Sequence, residues 1–146
     1  MIRRVIAAGT IALLPALATA EENPAIAYRE SLMTLYGMNF GPMASMVKGD
    51  IPWDAARMAG WGKDLKAVSG LNAMRGFPAG SEGGESKPEI WQNLEDFQKK
   101  MEAMQLETAK LGDLAVAGDR AAIAEQVGAA GKTCKSCHDD YKKEED

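Results

Sequence analysis

Ile123, Val127, Ala130, Cys134, Cys137 and Tyr141 recur at steps of three and four residues, the repeat of one face of an α-helix. Both cysteines of the 146-residue chain therefore fall on the stripe that a final helix would turn toward a core. Asp119 stands where such a helix needs an N-cap. Any fold for this chain has to bring two inward-facing thiols together near its end. The residue after Cys137 is His138, the only histidine in the sequence, turned about 100° further round the helix.

Thiols three residues apart on one helix face can reach the two vinyl groups of a single haem. The adjacent imidazole then lies where a ring nitrogen can coordinate the iron. Cys134-Lys135-Ser136-Cys137-His138 thus supplies two covalent tethers and an axial ligand in one stretch. Other chemistries lack parts. A zinc site asks for four ligands, or three and a water, and no second Cys or His pair exists. A thioredoxin-like pair belongs beside a strand–helix–strand unit, of which there is no sign. A structural bundle closed by a Cys134–Cys137 disulfide would gain little from so small a loop. The lone histidine also excludes bis-histidine ligation within one chain, so the sixth position on iron is left to Met, Lys, water or nothing.

The remaining patterns are helical too. A first helix is expected over Pro24–Val47, capped by Asn23, with Met33, Tyr36, Phe40, Met43 and Val47 as its buried stripe and a bend at Gly41-Pro42. A second should run from Trp53 or Asp54 to Ser69, burying Met58, Trp61, Leu65 and Val68. Residues 70–87 carry five glycines and a proline before Ser86 and read as a loop, whose one aromatic, Phe77, should fold onto the core or the cofactor. Ser86-Lys87-Pro88-Glu89 reads as a capping box opening a third helix with Ile90, Leu94, Phe97, Met101, Met104 and Leu111 on one face and an exit over Gly112–Gly118. No stretch shows sustained two-residue alternation. The expected fold is all-α, an antiparallel four-helix bundle with covalently bound haem c, one per chain.

Residues 1–20 stand apart. Met1-Ile2-Arg3-Arg4, the apolar run from Val5 to Leu17 and the small residues Ala18-Thr19-Ala20 have the order of a cleaved secretory signal peptide. Residues 21–146 would then be the exported, periplasmic domain, with no membrane span of its own. Cleavage removes Arg3 and Arg4 and leaves 15 basic and 21 acidic residues, a net charge of −6. Such an acidic domain is unsuited to nucleic acid. It is compatible with positively charged redox partner proteins.

A helical bundle with this motif at its C-terminal end resembles cytochrome c′ and its class II cytochrome c relatives. Tyr28-Arg29-Glu30-Ser31-Leu32-Met33, Pro88-Glu89-Ile90-Trp91 and Gly131–Tyr141 carry the resemblance, which spans nearly all of residues 21–146. It implies thioether bonds at Cys134 and Cys137, an axial His138, a propionate partner in Arg29 and a basic Lys142 beside the histidine. It places Met33 on the distal face of the haem. Met74 and Lys142 depart from relatives that carry Trp and Arg there, and Lys142 lacks the planar fork of an arginine. A non-coordinating residue at position 33 implies five-coordinate iron open to nitric oxide or carbon monoxide. A coordinating Met33 implies a low-spin His/Met electron carrier. Peroxidase-like enzyme chemistry has no distal histidine to support it. The resemblance further implies a homodimer formed through the first two helices.

Overall fold

The computed structural model describes residues 23–144; the expected leader over residues 1–20 lies outside them. Four long helices make the bundle: α1 (Pro24–Lys48), α2 (Ala55–Ser69), α4 (Leu94–Ala117) and α5 (Arg120–Tyr141), with a single-turn α3 (Glu89–Gln92) ahead of α4. A short 3-10 turn, Ala73–Gly76, interrupts the long connection after α2.

The caps follow local chemistry. The Asn23 side chain accepts from the amide of Ala25 at 3.0 Å, with Pro24 in the first turn. Asp54 accepts from Arg57, and Asp119 accepts from both Ala121 and Ala122. Each satisfies amide donors that a helix start leaves without partners. α1 and α4 end on glycines in the left-handed region, Gly49 at φ 86° and Gly118 at φ 85°. The link from α4 to α5 is only Gly118-Asp119, which forces the two helices into an antiparallel hairpin.

The structure differs from the sequence reading in the buried face of α1, in the cap of the third helical segment and in where that segment breaks and ends. α1 continues through Pro42 as one helix; the carbonyl freed by the missing proline N–H is that of Met38, which is itself 67% exposed and within reach of water. Its buried face is Arg29, Leu32, Tyr36, Asn39, Met43 and Met46, with Met33, Phe40 and Val47 at the edge. The capping box at Ser86 does not form. No side chain caps α3; Ser86 instead pairs with Lys142 in an isolated antiparallel bridge. The third helical segment breaks at Asn93, whose backbone departs from helical values at ψ 45°, and α4 then runs straight through Gly112.

α2 packs on α4, α4 on α5, and α1 on α2 and α5. The α2–α4 contact is close because Gly62 and Gly112 face each other there. A Cβ on Gly62 would stand 2.5 Å from Cβ of Ala115, and one on Gly112 would stand 2.6 Å from the carbonyl oxygen of Gly62. The core holds Leu32, Met43, Met58, Leu65, Leu111 and Ile123, each at most 2% exposed. Ser69 and Thr108 are buried in the same contact and share a 2.8 Å hydrogen bond, which meets the rule that buried polar groups find partners.

Candidate functional site

α5 brings Cys134, Cys137 and His138 to the side of a cavity of about 460 Å³, a size suited to a cofactor or small ligand. The helical repeat explains their placement. Ile123, Val127 and Ala130 bury the first half of the stripe, and the two half-buried cysteines continue it where the core opens into the cavity. α1 contributes Arg29, Glu30, Met33 and Thr34; α4 contributes Phe97, Met101 and Met104. The connection after α2 adds Phe77, Glu85 and Ser86.

All seven residues singled out from the sequence, Arg29, Met33, Phe77, Cys134, Cys137, His138 and Lys142, line this one cavity. Sequence reasoning placed Phe97, Met101, Met104 and Ile90 on the third apolar stripe as core. They line the cavity as well. A helical stripe looks the same whether it faces a side chain or a cofactor, so no signal separated the two. Glu30, Glu85 and Ser86 carried no sequence signal for the site.

Electrostatics around the cysteines are those of an apolar wall. Burial pushes the Cys137 thiol up to about 11, against the opposing cation of Lys100. Burial raises Cys134 too. Desolvation lowers the pKa of His138, and the nearby Lys142 cation adds to this against Asp139 and Glu85. The neutral imidazole, the form able to coordinate a metal, is thereby favoured. Lys142 pairs with Glu85 at 3.5 Å.

Arg29 is the buried cation of the site, 2% exposed. Its Nη1 donates to the carbonyl of Gly76 at 2.9 Å and more weakly to Oγ of Ser81 at 3.5 Å; its Nη2 donates to the carbonyl of Gly83 at 2.8 Å. Phe77 and Trp91 stack near the guanidinium, 5.4 and 5.5 Å from ring centroid to Cζ. Its Nε alone is buried with no hydrogen-bond partner. A buried donor left unpaired costs stability. Phe77, Phe97 and Tyr141 form a continuous aromatic wall, with centroids 4.6 and 5.3 Å apart in edge-to-face geometry.

These features fit haem. The cavity has paired thiols and an imidazole on one helix, aromatic and thioether walls, and a buried arginine among its lining residues. The family profile described as cytochrome C′ matches residues 24–142. Cytochrome c′ of Alcaligenes xylosoxydans xylosoxydans is 40% identical over 124 residues, covering 85% of this chain and 97% of that one. The chain belongs to the cytochrome c′ family. A solved nitric oxide complex of a cytochrome c′ variant from Alcaligenes xylosoxidans superposes with a TM-score of 0.76 at 39% identity, covering 86% of this chain and 98% of that one. A carbon monoxide-bound variant from the same organism matches with the same TM-score, identity and coverage. Like other cytochromes c′, the chain is an all-α four-helix bundle that binds haem c covalently.

Proposed function

We propose that residues 21–146 form a periplasmic cytochrome c′ whose haem is held by thioether bonds at Cys134 and Cys137, with His138 as axial ligand and five-coordinate iron. In this reading the protein transfers electrons and binds nitric oxide or carbon monoxide. One observation carries it: a single cavity collects the two thiols and the imidazole from α5 and the thioether of Met33 from α1.

The haem supplies a redox-active iron and, with an open sixth position, a site for a diatomic ligand. The chain's own residues shape what reaches it. Met33, Met101, Met104 and Phe97 present apolar surface, which suits small uncharged gases and offers little hydrogen bonding to bound oxygen. Arg29 lies at the cavity wall, where its positive charge suits a haem carboxylate. Lys142 places positive charge one helical turn beyond His138 and is itself held by Glu85. Phe77 packs edge-on against Phe97 and closes the apolar wall. Peroxidase-like turnover finds little support, since His138 is the sole histidine and the terminal nitrogens of Arg29 are given to backbone carbonyls and a serine.

A second reading has Met33 as sixth ligand of a low-spin electron carrier; its support is that the Met33 thioether lines the same cavity. Electron paramagnetic resonance and optical spectra of the ferric protein separate the two. High-spin signals are expected, and a low-spin spectrum with a methionine–iron charge-transfer band overturns the five-coordinate reading. A pyridine haemochrome assay tests the covalent haem itself.

Export rests on the leader pattern of residues 1–20. Among the described residues no helix is long and apolar enough to cross a membrane. Redox partner proteins of positive charge suit the acidic domain. A homodimer through α1 and α2 is supported by Leu35 and Met38, 43% and 67% exposed on one side of α1.

A further inference from the structure

The chain just past α5 is clasped through its backbone to the loop ahead of α3. The amide of Lys143 donates to the carbonyl of Glu85 at 2.8 Å, the amide of Lys87 donates to the carbonyl of Tyr141 at 2.9 Å, and Ser86 and Lys142 form the bridge between them. Nζ of Lys143 adds a bond to the carbonyl of Gly84 at 2.7 Å. None of these bonds uses the side chain of Glu85. They fix where that side chain starts, on the cavity wall it shares with His138 and Lys142.

From there the Glu85 carboxylate meets Nζ of Lys142 at 3.5 Å. A lysine carries its charge on a flexible stem, so a partner on a fixed backbone decides where that charge sits. Both side chains are partly exposed, 32% for Lys142 and 67% for Glu85, and such a pair adds little to stability. Its significance is its place. Lys142 lies one helical turn past His138, and the two charges act on the imidazole with opposite sign: the cation lowers its pKa and the Glu85 carboxylate raises it. Asp139 raises it as well, but both oxygens of Asp139 are engaged by Lys135 at 2.7 Å. Asp140, next along α5, pairs with Lys100. Glu85 is thus the carboxylate that a distant loop, rather than α5 itself, brings to the histidine.

We propose that Glu85 is the counter-charge of the haem site: held at the cavity by the clasp, it offsets the Lys142 cation beside His138 and keeps the reduction potential of the iron below the value that cation alone would set. This rests on the proposed haem site. Oxidation adds positive charge at the iron, so a nearby carboxylate favours the oxidised form and a nearby ammonium the reduced one. Glu85 acts in part through Lys142, as a positioning residue.

Midpoint potentials of the holoprotein, titrated spectroelectrochemically at pH 7 and low ionic strength, test this. Glu85→Gln removes the charge and keeps the backbone clasp. It is expected to raise the potential by an about threefold shift in the redox equilibrium, or about 28 mV for one electron. The gap from wild type should narrow as salt is added. Glu85→Asp retains the charge and should restore at least half of the shift. Lys142→Gln should move the potential the other way. Glu125→Gln removes an exposed carboxylate about 20 Å up α5 from His138 and should leave the potential in place. An unmoved potential in Glu85→Gln overturns the proposal. So does an equal rise in Glu125→Gln, which would make the effect one of net charge. A rise in Glu85→Asp equal to that in Glu85→Gln would reduce Glu85 to packing and overturns it too. A pyridine haemochrome assay separates the two levels: no covalent haem in wild type overturns the haem site itself, whereas an unmoved potential in a loaded protein overturns this inference alone.

Discussion

The hydroxyl of Tyr141 donates to Oδ2 of Asp96 at 2.6 Å, tying the last residue of α5 to the first turn of α4. The ring is buried beneath this bond and stacks edge-on against Phe97. Burial first, and the bond to Asp96 second, push the Tyr141 phenol up to about 12. An unfolded tyrosine titrates near about 10. Its neutral form therefore stabilises the fold fully below about pH 10, and that contribution is lost as pH rises toward about 12. Tyr141→Phe should cost about 1 kcal/mol at pH 8. It should also flatten the fall in stability between about pH 10 and 12. Denaturant titrations at pH 8, 10 and 11.5 check both; an equally steep fall in the variant would rule out Tyr141 as its source.

The α2–α4 crossing depends on the absence of side chains. Gly62→Ala or Gly112→Ala would force a methyl group into backbone or Cβ atoms at 2.5–2.6 Å. Overpacking of this kind costs about 1–3 kcal/mol. Gly60→Ala, on the same helix with nothing within 4 Å of the new Cβ, should instead stabilise by about 0.5–1 kcal/mol. Midpoints from chemical denaturation of the three variants give the comparison.

Met33 sits at the edge of the buried face of α1, toward the cavity. If it covers five-coordinate iron, Met33→Ala leaves the ferric spectrum high-spin and opens the approach. Carbon monoxide association should then quicken by about tenfold, equivalent to roughly 1.4 kcal/mol of barrier. A change of spin state in the variant would instead identify Met33 as a ligand.

Either thiol alone can retain a haem through one thioether bond. Cys134→Ala and Cys137→Ala should each keep haem through acid–acetone extraction, with a shifted pyridine haemochrome band. The double variant should release all of it. Full extraction from both single variants would show that neither cysteine is an attachment point.

Met38 is 67% exposed on α1, three residues from the exposed Leu35. A charge at the centre of an apolar contact costs about 2 kcal/mol or more, roughly thirtyfold in affinity. Met38→Glu should accordingly shift a dimer toward monomer in size-exclusion chromatography with light scattering. A wild-type protein already monomeric at high concentration would remove the proposed interface.

The cavity at the end of α5 was legible because its chemistry is local. Two thiols and an imidazole lie within five residues, and one helical repeat places them. The four long helices were legible from the same repeat, with caps at Asn23, Asp54 and Asp119 obeying short-range rules. What could not be read depends on contacts between distant residues. Ser86 is a sound capping residue in isolation, yet its backbone pairs with Lys142, 56 positions away. Arg29 was read as a propionate partner, but its hold on residues 76–83 arises only when the loop returns across α1. Met101 and Met104 repeat at core spacing, and only the tertiary arrangement turns them toward the cavity.

The bridge between Ser86 and Lys142 changes the character of the chain's end. The final turn of a helix ordinarily frays, and a ligand placed there would swing with it. Here the proposed axial residue His138 is three residues from the end of α5. Beyond it the backbone is held by residues 85–87 on one side and by Asp96 through Tyr141 on the other. Lys142 and Lys143, just past the helix, are therefore paired through their backbones to residues 85 and 86 and brace the turn that carries the proposed axial residue.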